Sequence, residues 1–232
     1  MNNNLIKDFS LFARDHKVTT TALDDYSKII NSKTGGNYIE PTIIEERQLN
    51  ATQISVFSRL FMDRILFLGT EIDSTVANII NAQLLYLSSM NPEKGISLYI
   101  NSPGGSVSAG LSIYDTMNFV DSEVSTTCMG TAASMGAVLL SSGEKGKRYS
   151  LPHSDIMIHQ PLSNSGYSQA SDIEIHWKEV LKCKNTLYNI LSENTGKTFD
   201  EIEKACDRDN WFTASEAIEF GLIDNIIKKN GR

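Results

Sequence analysis

The sequence predicts an α/β domain with a largely parallel sheet, on three observations. From about residue 54 onward, short apolar runs of strand length alternate with stretches of helical periodicity, the pattern of strand–helix–strand units. The chain has 232 residues, enough for one domain that buries roughly 70–75% of the surface its unfolded form exposes. It is 41% hydrophobic and 21% charged, close to the balance of globular domains and far from that of a fibrous or disordered chain.

The elements follow in order. Ile65-Leu66-Phe67-Leu68 is a buried-strand run closed by Gly69. Asp73 caps a helix whose apolar positions include Val76, Ile79, Ile80, Leu84 and Leu87, and Asn91-Pro92 ends it. Ile96 to Ile100 is the next strand. The loop Asn101-Ser102-Pro103-Gly104-Gly105 leads into a helix through Leu111, Tyr114 and Met117. Val124 to Met129 is a third strand, and the small residues from Ala132 to Leu140 predict a helix. Ile156-Met157-Ile158-His159 is a further short strand. Ser171-Asp172-Ile173-Glu174 has the capping-box pattern and predicts the start of the longest helix, with Trp177, Val180, Leu181, Leu187, Tyr188 and Leu191 at helical spacing and Gly196 at its end. Thr213 begins a last short helix that stops at Gly221, and Leu222 to Ile227 is predicted as a terminal strand.

Residues 1–40 differ. Thr19-Thr20-Thr21, Asp24-Asp25 and Lys33-Thr34-Gly35-Gly36-Asn37 read as a leader, either a propeptide or a poorly ordered segment. It lacks the charged, apolar and small-residue succession of a signal peptide, and Asp8 and Asp15 fit a transit peptide poorly. No apolar stretch approaches the roughly 20 residues of a membrane span. Lys and Arg number 21 against 28 Asp and Glu, a net charge of −7 with no basic block, which argues against nucleic-acid and membrane partners. Three scattered cysteines argue against a disulfide framework and for a reducing, cytoplasmic setting.

Several residues have types and positions suited to acyl transfer. Ser134 follows a strand–glycine transition at a helix start, where unsatisfied N–H groups favour negative charge, and the N–H of Met135 is a natural donor to an oxyanion. Ser134 would also serve simply to let helix and strand pack closely. A serine nucleophile needs a base. His159 ends a strand before Gln160-Pro161, His153 lies in a looser turn, His176 sits in the long helix with Asp172 a turn before it, and His16 lies in the leader. The acid is open between Asp207 and Asp209 in the polar break before Trp211-Phe212. Gly105, after Gly104, offers a second backbone N–H at close approach. Neither dinucleotide nor phosphate-loop glycine spacing occurs; Gly196-Lys197-Thr198 reads as a helix stop because Leu191 stands where the first glycine would be. No metal-ligand cluster is visible. No cofactor or metal is expected.

Taken together, Tyr99-Ile100-Asn101-Ser102-Pro103-Gly104-Gly105, Ala132-Ala133-Ser134-Met135-Gly136, Met157-Ile158-His159-Gln160-Pro161 and Arg208-Asp209 resemble the proteolytic subunits of Clp protease, in that family's order. Phe57-Ser58-Arg59-Leu60 and Gly221-Leu222-Ile223-Asp224 are similar too, so the resemblance runs from about residue 40 to the C-terminus. It implies the Clp/crotonase fold over residues 41–232, a spiral of strand–strand–helix units with a protruding handle helix at about 165–196. It implies Ser134 as nucleophile, His159 as base, Asp209 as the orienting acid, and the N–H groups of Gly105 and Met135 as the oxyanion hole. It further implies two stacked seven-membered rings, fed with unfolded polypeptides by an ATP-dependent AAA+ unfoldase of the ClpX, ClpA or ClpC type. Leu162-Ser163-Asn164-Ser165-Gly166 replaces the family's adjacent glycines, Trp211 replaces a smaller aromatic, and the longer leader suggests self-cleavage near residues 37–42. An inactive ring subunit and a crotonase-like acyl-CoA enzyme are the alternative classes.

Overall fold

Apolar strands satisfy their backbone only by pairing, and each sheet face must then be covered by a helix. The structure, a computed structural model, describes residues 42–47, 50–163 and 169–228. The leader 1–40, all but the last residue of the expected self-cleavage stretch, and residues 164–168 lie outside them.

The chain forms two units. In the first, β1 (Thr42–Arg47) and β2 (Asn50–Ser55) make an antiparallel hairpin, with Thr42 opposite Ser55 and Arg47 opposite Asn50. The strand–helix alternation expected from residue 54 does not include this hairpin.

In the second unit, β3 (Ile65–Leu68), β4 (Ile96–Ser102), β5 (Val124–Ala133), β6 (Arg148–Ser150) and β9 (Asn225–Ile226) pair in parallel in that order. β7 (Asp155–Ile158) branches from β5 in parallel, and β8 (Asn210–Thr213) joins β7 in antiparallel fashion. Seven helices complete the described chain: α1 (Val56–Met62), α2 (Ser74–Met90), α3 (Val107–Phe119), α4 (Met135–Ser141), α5 (Ala170–Thr195), α6 (Phe199–Ala205) and α7 (Ala214–Phe220). The mixed α/β class and its mostly parallel sheet are as predicted.

Burial explains the order. Leu66 and Leu68 of β3, Leu98 and Ile100 of β4, Ile80 and Leu84 of α2, Ile113 of α3 and Leu139 of α4 form one buried core. Each such side chain contributes about 1.5–3 kcal/mol relative to exposure. Asp73 caps α2 as expected, accepting from the Val76 N–H at 2.8 Å.

Three local expectations are corrected. Ala132 and Ala133 are strand, because β5 continues past Gly130 to pair them with Ile156 and Met157 of β7. The long helix begins at Ala170 with Gln169 as its cap, two positions ahead of Ser171, the first residue of the capping-box pattern. Leu222 and Ile223 are not strand: their N–H groups turn back to the Ala217 carbonyl of α7, which buries both side chains and leaves two residues for β9.

α5 changes character along its length. Leu187, Tyr188, Ile190 and Leu191 are buried, whereas Ile175 and Trp177 are 63% and 59% exposed. Its C-terminal half therefore belongs to the core and its N-terminal half stands clear of it, as a handle does. No helix among the described residues is long and apolar enough to cross a membrane.

Candidate active site

β5 changes partner midway, and the change builds the site. Its first part pairs with β6; at Gly130, where φ is 98°, it turns to β7, with the Gly130 N–H donating to Ser154 Oγ and the Thr131 N–H to Asn101 Oδ1. The strand then ends abruptly at Ser134. The Ser134 N–H donates to the Met157 carbonyl, as a strand residue would, while its own carbonyl accepts from Ala137 and Val138 as the first turn of α4. One residue serving both partners must bend sharply, and Ser134 has φ 54° and ψ −123°. This backbone region costs a non-glycine residue on the order of 1–3 kcal/mol. The strain lifts the hydroxyl out of the strand–helix corner, as in other strained strand-to-helix nucleophile turns.

His159 follows β7 directly. The antiparallel register of β7 and β8 places Ile158 opposite Asn210, so the next pair along is His159 and Asp209. The register brings Asp209 beside His159, whereas Asp207 would fall two positions beyond. Asp207 instead meets Arg208 Nη1 at 3.4 Å and is exposed. Gln160 fixes the two chains to each other: its N–H donates to the Cys206 carbonyl at 2.7 Å and its side-chain amide to the Asp207 carbonyl at 2.8 Å.

The structure therefore brings together Ser134, His159 and Asp209. Ser134 Oγ lies 2.9 Å from His159 Nε2, and His159 Nδ1 lies 3.1 Å from Asp209 Oδ1. The imidazole is largely enclosed, at 12% exposure, and the carboxylate is open at 64%. The remaining histidines are elsewhere. His153 lies exposed in the turn at the other end of β7, and His176 on α5 meets the Ser163 hydroxyl rather than Asp172. His16 lies outside the described residues.

Met135 follows Ser134 in the chain, and Gly105 follows Gly104. Gly104 packs directly on the corner: a Cβ there would meet Ser134 Cβ and the Ala133 carbonyl at 2.7 Å. Ile72 is bonded to the Gly104 carbonyl and the Ser106 N–H, both at 2.8 Å, so the Gly105 N–H between them faces away from Ile72. Met135 is the first residue of α4, and its N–H has no carbonyl a turn earlier to bond. Both residues line a cavity of about 360 Å³ that also takes in Ser134 and His159. Val138, Leu187 and Leu191 make much of its remaining wall apolar. Sequence reading placed Leu187 and Leu191 in the core but not at the cavity; their i, i+4 spacing in a helix was the available signal. Glu71, also on the lining, carried no sequence signal.

The cysteines are all free thiols. Burial pushes Cys128 up to about 11 and Cys206 up to about 12, so both stay protonated and unreactive at neutral pH.

A hydroxyl, an imidazole and a carboxylate in line, beside free backbone donors, form an arrangement that can activate an oxygen nucleophile. The chain as a whole is similar to a known class of proteins. The family model described as Clp protease matches residues 48–230, and the chain belongs to the Clp protease family. It is 55% identical to the ATP-dependent Clp protease proteolytic subunit of Porphyromonas gingivalis (strain ATCC BAA-308 / W83), over 97% of this chain and 99% of the relative. The proteins of that name from Bacteroides fragilis (strain YCH46) and Bacteroides thetaiotaomicron are 55% and 54% identical, each over 96% of this chain and 99% of the relative. The chain is a protease by family.

Proposed function

We propose that this chain is a serine endopeptidase in which Ser134 is the nucleophile, His159 the general base and Asp209 the acid that orients it. The observation that carries the reading is the contact of Ser134 Oγ with His159 Nε2 and of His159 Nδ1 with Asp209. A carboxylate only accepts, so Asp209 selects the tautomer with hydrogen on Nδ1 and leaves Nε2 free to take the Ser134 proton. Ser134 Oγ attacks the peptide carbonyl. The resulting oxyanion is met by the N–H groups of Gly105 and Met135. The imidazolium then protonates the leaving amine, and water, activated by the same ring, releases the acyl group. Neither metal nor cofactor takes part.

The relatives' names carry the words ATP-dependent. This sequence has no phosphate-loop spacing, so ATP use falls to a separate AAA+ unfoldase of the ClpX, ClpA or ClpC type that delivers unfolded polypeptides. We assign the protein to the cytoplasm, to two stacked heptameric rings, and to a division into leader 1–40 and peptidase domain 41–232. The exposed Ile175 and Trp177 on the handle are suited to self-association.

The test is a fluorophosphonate probe followed by mass location of the adduct. An adduct on Ser134, with peptide turnover in Ser134→Ala down by at least about four orders of magnitude, supports the reading. Full turnover in that variant removes Ser134 from the mechanism. Turnover of a CoA thioester without labelling assigns the chain to the acyl-CoA class instead.

A further inference from the structure

Among the described residues, the cavity at Ser134 has one acidic side chain on its lining: apart from His159, Glu71 is the only ionisable group there, among walls such as Val107, Val138, Leu187 and Leu191. Its position follows from the backbone. Ile72 is held by the Gly104 carbonyl and the Ser106 N–H and turns its side chain into the core, at 1% exposure. Glu71, next to it, is exposed and faces the cavity. No Lys or Arg among the described residues pairs with it. A carboxylate without a counter-ion against an apolar wall acts on a nearby cation more strongly than one in open water.

We propose that Glu71 is a specificity-determining residue, selecting peptides that carry a Lys or Arg side chain at one position near the scissile bond and disfavouring Asp or Glu there. The inference rests on the serine-endopeptidase reading for the cavity's role in holding peptide.

The experiment uses the full chain and quenched peptides of one sequence, with Lys, Gln or Glu placed in turn at each of about three positions on either side of the cut. Acetylated and free N-termini are compared, so that attraction to the peptide's own amino group is separated from attraction to a side chain. At one position kcat/KM should rank Lys over Gln over Glu, spanning on the order of tenfold, with the change in KM. Glu71→Gln should compress that span to about twofold, chiefly through KM for the Lys and Glu peptides, and added salt should compress it in the unaltered protein. A second arm measures binding of the same peptides to Ser134→Ala and to Ser134→Ala with Glu71→Gln, which needs no chemistry. Equal rates and affinities for Lys and Glu peptides at every position overturn the proposal, as does a preference that survives Glu71→Gln or appears only with a free N-terminus. Cleavage that persists in Ser134→Ala overturns the endopeptidase mechanism instead, and leaves the binding preference to stand or fall on the second arm.

Discussion

Two side-chain clusters join distant parts of this chain, and they are built on opposite terms. Asp224 meets Arg148, 76 residues away, in a bidentate pair at 2.6 and 2.9 Å, and also accepts from the N–H groups of Gly146 and Arg148. Arg148 Nη1 donates onward to the carbonyls of Ser141, Asn194 and Gly221, so one guanidinium ties together the ends of α4, α5 and α7. Its side chain is 5% exposed. Asp209 meets His159, 50 residues away, through one contact at 3.1 Å and is otherwise open to solvent. The neighbouring Ser134 has a backbone that serine disfavours. The first cluster is saturated and enclosed; the second is left with free hydrogen-bonding capacity and stored strain. The carboxylate that holds the fold is neutralised from every side, whereas the one beside His159 makes one contact, as the proposed orienting role requires.

The largest expected effect separates the two carboxylates by function. Asp209→Asn should lower kcat by about 10⁴-fold, because the amide can donate to Nδ1 and turns Nε2 into the protonated nitrogen. Its stability should move by less than about 1 kcal/mol, because Asp209 makes one contact and is otherwise solvated. Asp207→Asn is the internal control and should retain activity; the reverse pattern would shift the β7–β8 pairing by two residues. Stopped assays and thermal melts on the two variants give both readouts.

Asp224→Ala should do the opposite. It leaves the enclosed Arg148 charge unpaired, a loss of about 3–5 kcal/mol. In a domain of this size that lowers Tm by on the order of 10 °C. Protein that remains folded should label normally at Ser134 with the serine-directed probe. A melt unchanged from the original would show that water or another side chain replaces the carboxylate.

The clusters also differ in how visible they are in sequence. Strand and helix periodicity is local, so β3, β4, α2, α3 and the buried half of α5 could be read from it. Thr198 and Thr213 each precede a glutamate at the third position and form capping boxes with Glu201 and Glu216. The Thr213 helix is predicted from sequence, but the Thr198 box stands directly behind Gly196, whose helix-stop signal hides it. β6 is three residues long, and its buried Arg148 looks like a surface residue until Asp224 arrives from the far end of the chain. Ser134 is legible as a hydroxyl at a helix start just past a strand–glycine transition, and His159 as the end of an apolar strand. Asp209 could not be separated from Asp207 by spacing, since the decision belongs to the β7–β8 register, a non-local pairing. Glu71 had no local pattern at all.

The strained corner gives the next comparison. At most exposed positions glycine is less stable than alanine, because its unfolded chain has more freedom to lose. At φ 54° and ψ −123° the order should invert. Ser134→Gly should melt above Ser134→Ala by about 1 kcal/mol, or a few degrees, with both inactive. Glycine at or below alanine would mean that the corner relaxes once the hydroxyl is gone, and that the strain is set by the His159 contact rather than by the β5–α4 junction.

The smallest effect is the acid limb of stability. Burial pushes the Asp224 carboxyl up, but the hydrogen bonds and charge of Arg148, with the Gly146 amide, outweigh it and hold the group below the usual aspartate range. As pH falls the unfolded chain takes up the proton first, so the stabilisation is complete above the ordinary carboxylate value near about 4 and is lost as pH falls through the lower, folded value. Denaturant melts between neutral and acid pH should therefore show a shallower acid slope in Asp224→Asn than in the unaltered protein. An acid slope unchanged by Asp224→Asn would mean that the donors around this carboxylate do not favour its charged form, and the contrast between a clamp and a poised site would fail at its weakest point.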